Sequence, residues 1–311
     1  MAKAVYHDPV LLHEAVNGLN VREDGTYVDV TFGGGGHSRE ILNRLGPGGR
    51  LYAFDQDEDA RANVLDDPRF VLIEENFRYI GQFLRFYGIK KVDGILADFG
   101  VSSHQFDQAH RGFSTRFEAE LDMRMSRRNT LSANTVLNTY SEEDLRRVLF
   151  DFGELRNAGA MARAIVSQRE LRPLSTTEDV KAALATFLPA HKRHKILAQV
   201  YQAIRIEVNQ EVQVIKEFLE QVPGLLSVGG RLSAISYHSL EDRLVKNFIR
   251  SGKFQGEPEK DFYGNKLVPL GKVGALIVPT KEEVARNNRA RSAKLRLAEK
   301  LGTKKKQGPT I

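Results

Sequence analysis

The sequence has 311 residues, which favours two domains over one, and its 41% hydrophobic and 28% charged residues are an ordinary balance for a globular protein. It contains no cysteine, which excludes a disulfide framework and a thiolate metal site. Neither a secretory signal nor an apolar run approaching the ~18 residues of a membrane span is present, so we expect a cytoplasmic protein that makes no membrane contact.

The first hundred residues alternate between predicted strands and helices. Four segments there, and a fifth much later, are nearly continuous in apolar residues and bounded by turn residues, which predicts buried parallel strands at 27–32, 50–54, 70–73, 94–97 and 231–236. Helical patterns lie between the early ones, at 38–45 and 59–65. This order predicts an α/β fold with a doubly wound sheet.

Residues 106–199 interrupt the alternation and have helical patterns instead. Ser141 begins S-E-E-D-L, a helix cap followed by acidic residues, and Thr176 with Asp179 begins a second helix. We therefore predict a discontinuous sheet domain, 1–105 with 200–311, and an inserted helical domain, 106–199, that recognises the substrate. Ser239 is expected to cap a helix directly after the fifth strand.

Positive charge is concentrated at the C-terminal end. The chain carries a net charge of +6, while residues 281–311 alone hold ten basic and three acidic residues, a net +7. A second basic run, H-K-R-H-K, occupies 191–195. Such segments often contact nucleic acid, and a solvated tail is the alternative for the C-terminal one.

Four consecutive glycines follow the first predicted strand, in D-V-T-F-G-G-G-G-H-S at 29–38. A glycine-rich turn between a strand and a helix lets a ligand approach the backbone and the helix N-terminus. A phosphate-binding P-loop would need a lysine where His37 stands, and a dinucleotide fingerprint would need a glycine where Ser38 stands. A loop for S-adenosylmethionine, preceded by an acid such as Asp29, fits better; a tight turn without a ligand is the alternative.

Three carboxylates are predicted to meet at one edge of the sheet. Asp29 lies near the end of the first predicted strand, and Asp55 and Asp98 come at the ends of the second and fourth. Ligands of open α/β sheets bind at the carboxyl ends of the strands. Asp55 can accept both ribose hydroxyls of an adenosine, whether the cofactor is NAD or S-adenosylmethionine. Phe77, after the third strand, lies either beside the adenine or in the core.

Motifs along nearly the whole chain resemble the RsmH (MraW) family. They are H-D-P-V-L-L at 7–12, T-F-G-G-G-G-H-S at 31–38, D-G-I-L-A-D-F-G-V-S-S at 93–103, R-G-F-S at 111–114, L-D-M-R-M at 121–125, R-I-E-V-N-Q-E at 205–211, I-S-Y-H-S-L-E-D-R at 235–243 and R-A-R-S-A-K-L-R at 289–296. Any one of these blocks is weak, and the ordered set is highly specific.

The resemblance implies a class I (Rossmann-like) methyltransferase sheet with an inserted helical domain. It also implies transfer of a methyl group from S-adenosylmethionine to the exocyclic 4-amino group of a cytidine in the decoding region of small-subunit ribosomal RNA. The substrate is then that RNA or the 30S subunit, and a homodimer is left open. The cofactor contacts carried over by position are Gly35, Gly36, His37, Asp55, Phe77, Asp98 and Gln105, and no metal is expected.

Asp98 is also the candidate catalytic residue, because an acceptor beside the amine would orient its lone pair. Binding of the cofactor's methionine end is the alternative role. Thr31 stands where many class I methyltransferases have a glycine, as is normal for this family, whereas His104, Tyr237 and Asn288 depart from its pattern.

Two rival functions share part of this pattern. An NAD-dependent dehydrogenase would use the same glycine loop and Asp55, and would leave the basic C-terminal segment without a role. A non-catalytic RNA-binding protein would explain that segment and leave the acidic cleft without one.

Overall fold

The computed structural model describes residues 9–302, so His7 and Asp8 of the first motif and Lys304, Lys305 and Lys306 of the basic C-terminal segment lie outside the described residues. The chain forms two compact units. The first comprises the residues up to Gly100 and from Gln213 onward, and the second is Val101–Val212. The predicted helical insertion, 106–199, falls within the second unit. The upper limit of that prediction lies inside a helix that continues to Asn209.

The first unit is built on a seven-stranded sheet. Its strands are β1 (Thr26–Asp29), β2 (Arg50–Phe54), β3 (Phe70–Ile73), β4 (Val92–Asp98), β5 (Leu226–Ser236), β6 (Leu270–Ile277) and β7 (Lys294–Lys300). Their spatial order is β3-β2-β1-β4-β5-β7-β6; β7 runs antiparallel to both of its neighbours, and the other adjacent strands pair in parallel. The order reverses between β1 and β4, where open α/β sheets bind their ligands. The predicted α/β fold class is confirmed.

Six α-helices belong to the described part of the first unit, and all except the last bury side chains in the cores beside the sheet. They are α1 (Leu12–Leu19), α2 (Gly36–Arg44), α3 (Ile80–Phe86), α10 (Glu211–Leu225), whose first two residues precede Gln213, α11 (Ser239–Ser251) and α12 (Lys281–Arg286). One buried cluster includes Phe54, Ile95 and Phe218, and another includes Tyr27, Ile41 and Leu96. Because Ile95 and Leu96 are neighbours on β4 and belong to different clusters, the two cores cover opposite faces of the sheet.

Two strands, the form of one helix and the cap of another differ from the sequence predictions. Strands β6 and β7 are not predicted at all, and β7 lies in the segment described above as a basic tail. The helix expected at 59–65 is a 3-10 helix, Glu58–Asn63. Ser239 is the first residue of α11 rather than its cap, because His238 takes the extended cap conformation.

The second unit is helical in its regular structure. Its helices are α4 (Ser103–Asp107), α5 (Ala133–Thr139), α6 (Glu142–Asp151), α7 (Ala158–Leu171), α8 (Thr177–Ala183) and α9 (Arg193–Asn209). The predicted caps form: Ser141 accepts a hydrogen bond from the Asp144 N–H, and Thr176 forms a capping box with Asp179. Leu137, Val148, Ile165 and Val200 belong to a separate core. Across residues 9–302, no helix combines the length and apolarity that crossing a bilayer requires.

Candidate active site

The glycine loop connects β1 to α2 and is fixed by the protein itself. Gly33 and Gly35 have positive φ angles of 50° and 73°, which glycine adopts without steric cost. A Cβ on Gly36 would lie only 2.0 Å from the Pro9 side chain. Part of the close approach that the glycines permit is therefore made by the chain's own N-terminal segment.

Asp29 holds the two ends of this loop together. It is fully buried, its Oδ2 accepts a 2.7 Å hydrogen bond from the Ser38 hydroxyl, and its Oδ1 accepts a 3.1 Å bond from the Thr31 N–H. Burial raises the pKa of Asp29, while the charge of His37 and these hydrogen bonds oppose the rise. Within the described residues, Asp29 stabilises the shape of the loop through these hydrogen bonds.

Asp55 follows β2 and faces the loop. Its Oδ2 accepts a 2.7 Å bond from the Gly33 N–H and its Oδ1 a 2.8 Å bond from the Asp57 N–H. A carboxylate offers about four acceptor positions, so one remains on each oxygen for the two hydroxyls of a ribose. Burial raises the pKa of Asp55 to about 7, and two further donors would stabilise its charged form. These features fit an adenosine group.

Phe77 packs at the edge of the core while remaining partly exposed. Its ring centroid lies 5.4 Å from that of Phe218 and 6.0 Å from that of Phe99. Both alternatives left by the sequence are therefore compatible with its position, because one part of the ring is packed and another is accessible.

Asp98 ends β4 and is held on several sides. Its Oδ1 accepts a 2.8 Å bond from the Tyr237 hydroxyl, and its backbone N–H donates to the Thr31 hydroxyl at 2.7 Å. The side chain is 22% exposed, with Oδ2 3.9 Å from Nδ1 of His37. Burial raises the pKa of Asp98 to about 6, although His37 and the Tyr237 hydroxyl act in the opposite direction. Oδ2 is thus the oxygen directed away from Tyr237, and it can accept a proton near neutral pH.

The hydrogen bonding of His37 defines its tautomer. Its Nε2 lies 3.1 Å from the Val10 carbonyl oxygen, which has no proton to give, so Nε2 carries the hydrogen. In neutral His37 the lone pair of Nδ1 then faces Oδ2 of Asp98.

Sequence reasoning missed several residues that build this site. Glu241 is buried and its Oε2 accepts from the Tyr237 N–H at 2.8 Å, which fixes the backbone that carries the Tyr237 ring. Pro9 and Val10 close the loop from a distant part of the sequence. The sequence signal for Tyr237 is its departure from the pattern expected from the family resemblance. Gln105 belongs to the second unit, where it is buried and forms a capping box with Ser102.

The basic C-terminal segment is largely folded. Lys294 and Arg296 lie on β7 and pair with Asp242 at 3.3 and 2.7 Å. Exposed basic side chains in the described part of the segment include Lys281, Arg286 and Arg291. Residues 281–300 are therefore not a disordered tail, because the chain forms α12 and β7 there, and the choice between nucleic-acid contact and plain solvation of the exposed basic side chains stays open.

A glycine loop, a ribose-type carboxylate and an acceptor at the end of β4, on this sheet, define a methyltransferase of the Rossmann-like class. The family model of the MraW methylase family matches residues 4–301. The chain belongs to this family of S-adenosylmethionine-dependent methyltransferases, which confirms the family resemblance and the predicted cofactor.

Similar proteins share most of the chain. The ribosomal RNA small subunit methyltransferase H of Flavobacterium johnsoniae is 67% identical over 95% of this chain and 98% of its own length. Proteins with the same name from Christiangramia forsetii and Cytophaga hutchinsonii are 64% and 55% identical, each over 95% of this chain and over 98% and 100% of their own lengths.

Proposed function

We propose that this protein transfers a methyl group from S-adenosylmethionine to the 4-amino group of a cytidine in the decoding region of small-subunit ribosomal RNA. The relatives named above support the RNA substrate, and the motif resemblance supports the base and the position. The observation that carries the chemistry is Asp98, with one oxygen fixed by Tyr237 and the other directed away from it.

Within the first unit, the residues that would hold the cofactor are the glycine loop and Asp55. Gly35 is the N-cap of α2 and Gly36 and His37 are its first residues; the N-terminus of a helix favours negative groups such as a carboxylate. Asp55 would accept the ribose hydroxyls, and Phe77 would lie beside the adenine. When bound, the cofactor supplies a methyl group on a positively charged sulfur. The contact of Gln105 remains a prediction from the resemblance.

The reaction needs help at nitrogen rather than at sulfur. The lone pair of the cytosine 4-amino group is delocalised into the ring, so the amine is a weak nucleophile. The sulfonium charge disperses as the methyl leaves, so a carboxylate beside the sulfur would favour the ground state. An acceptor for the amine's N–H bonds would instead rotate the lone pair out of conjugation and towards the methyl group.

Asp98 is suited to that acceptor role. Tyr237 fixes its carboxylate by donating to Oδ1, so Oδ2 can accept from the amine. The nitrogen gains a bond to carbon and must lose a proton, and a carboxylate with a pKa of about 6 holds that proton better than an ordinary aspartate.

Exposed basic residues support docking of RNA. The run at 191–195 is exposed around the start of α9, where positive charge is unfavourable to the helix dipole. An arrangement that costs helix stability is understandable if phosphate groups bind there. We assign substrate recognition to the helical unit that carries this run, and we expect the protein to act in the cytoplasm.

Methyl incorporation tests this proposal. Purified 30S subunits lacking the modification, protein-free small-subunit RNA and 50S subunits would each be incubated with the enzyme and methyl-labelled cofactor. We expect label in small-subunit RNA, and none in 50S subunits. Equal labelling of 50S subunits, or no labelling of any RNA by enzyme that binds the cofactor, would contradict the proposal.

A further inference from the structure

A short hairpin in the first unit carries two aromatic residues at its tip. The Leu267 N–H donates to the Glu259 carbonyl at 2.7 Å, and the Asp261 N–H donates to the Asn265 carbonyl at 2.9 Å. Residues 262–264 form the turn between these rungs. We call residues 259–267 the aromatic hairpin; none of them belongs to the site described above.

The tip is held in one conformation by Asp261. Its Oδ1 accepts from the N–H groups of Tyr263 and Asn265 at 3.0 and 2.8 Å, and its Oδ2 accepts from the Asn265 side chain at 2.9 Å. Gly264 has a φ of 82°, which favours glycine. The turn is therefore preorganised although its side chains are in solvent.

The two aromatic side chains are almost entirely exposed. Phe262 is 98% and Tyr263 85% exposed, and their ring centroids lie 5.5 Å apart at an interplanar angle of 87°. Two neighbouring rings ordered in water gain almost nothing from burial in the fold itself. Flat aromatic faces held in place are the surfaces on which unpaired nucleobases stack.

Two lysines lie opposite each other just behind the tip. Lys260 and Lys266 form an isolated antiparallel bridge, and both are exposed. Like charges directly opposite in such a pair are destabilising. The adjacent Glu259 pairs with Lys253 at 2.8 Å. A phosphate group between the two lysines would convert their repulsion into attraction.

We propose that the aromatic hairpin binds a single-stranded stretch of the substrate RNA, with bases stacking on Phe262 and Tyr263 and a phosphate between Lys260 and Lys266. The inference rests on the proposed function only in taking RNA as the substrate. The opposed lysines favour this occupant over a purely apolar protein surface, because they supply charge complementarity to a polyanion.

A single-tryptophan variant reports the contact directly. The sequence contains no tryptophan, so Phe262→Trp places the sole indole at the tip. We expect saturable fluorescence quenching on titration with 30S subunits and with an unstructured single-stranded RNA oligonucleotide, weakening as salt is raised. The matched control is Phe86→Trp on α3, where the native aromatic side chain is 81% exposed. We expect no saturable quenching of this variant. Equal responses of both variants, or none at Phe262→Trp, would overturn the inference.

Kinetics then separate this inference from the proposed function. The double variant Phe262→Ala/Tyr263→Ala should raise the KM for 30S subunits ~10-fold or more, because each stacked base contributes to affinity. Its cofactor Kd and its kcat should stay within about twofold of wild type. RNA affinity falls as salt rises, and Lys260→Gln/Lys266→Gln should make the slope of log affinity against log salt less negative by about 1.

Failures of the two proposals look different. If the wild type binds cofactor and methylates no RNA, the proposed function fails. If it methylates RNA and the double variant has an unchanged KM, the hairpin inference fails. Loss of wild-type self-association in the double variant, with unchanged RNA affinity, would assign the hairpin to a homodimer interface and also overturn the inference.

Discussion

Replacing Asp98 with asparagine should stabilise the fold and slow the reaction. Burial raises the pKa of Asp98 from its ordinary 3.8 to about 6, so the folded state binds this proton more tightly than the unfolded state. Stability therefore falls as pH rises from about 4 to 6, and the full cost persists above pH 6. That difference corresponds to about 3 kcal/mol as an upper bound. Because the side chain is partly solvated, we expect a gain of ~1–2 kcal/mol in Asp98→Asn at pH 7.5.

The asparagine can keep the neighbouring hydrogen bonds. Its Oδ1 still accepts from the Tyr237 hydroxyl, and its amide can donate towards Nδ1 of His37, whose Nε2 holds the hydrogen. Urea unfolding at pH 7.5 and pH 4 measures the effect, and the gain should shrink at the lower pH. A variant that is less stable at pH 7.5, or a gain independent of pH, would refute the reasoning.

The same variant tests the assignment of Asp98 to the amine. Single-turnover methylation should slow ~100-fold or more, a typical loss for such a group, with cofactor affinity nearly intact. If affinity and rate fall together and saturating cofactor restores the rate, Asp98 binds the methionine end instead. Asp93→Asn is the control: Asp93 lies at the other end of β4 and pairs with Arg22, so its loss should cost stability and leave the rate unchanged.

Three further outcomes are expected. Tyr237→Phe removes a hydrogen bond that lowers the pKa of Asp98, so the acid limb of the pH–rate profile should move to higher pH. If the limb does not move, it reports the titration of another group. Asp55→Ala should weaken cofactor binding at least ~10-fold, as measured by calorimetry, because a charge-assisted hydrogen bond contributes roughly 1.5–3 kcal/mol. Unchanged affinity in a folded variant would exclude hydrogen bonding of Asp55 to the ribose hydroxyls. Exchanging Lys192 and Lys195 for glutamine should make the plot of log RNA affinity against log salt concentration less steep, by about 0.7–0.9 for each phosphate group that these lysines neutralise. Cofactor affinity should not change. An unchanged slope would mean that the run at 191–195 is only solvated.

The sheet is predictable where strands are buried on both faces. Segments such as 50–54 and 70–73 are nearly continuous apolar runs, and the structure places β2 and β3 at those residues. Strand β7, K-L-R-L-A-E-K, mixes charged and apolar residues, so its lysines and arginine resemble part of a basic tail. The alternation of charge and leucine in K-L-R-L is the period-two signal of a half-buried strand. Strand β6 contains two glycines and gives a weaker signal.

The candidate site likewise has one part that could be predicted from the sequence and another that could not. Asp29, Asp55 and Asp98 could be brought together from sequence because parallel strands end at a common edge of the sheet. The closure of Gly36 by Pro9 and the support of Tyr237 by Glu241 could not be, because each depends on how separate elements pack. Local patterns carry no information about such contacts until the fold is known.

Nucleoside mass spectrometry identifies both the base and the atom that receive the methyl group. Undermodified 30S subunits would be incubated with the protein and trideuteromethyl-labelled cofactor, and the small-subunit RNA digested to nucleosides and to mapped fragments. We expect a single labelled product, N4-methylcytidine, in the fragment that contains the decoding region. Label on cytosine C5, on a ribose hydroxyl or in another fragment would contradict the proposed reaction.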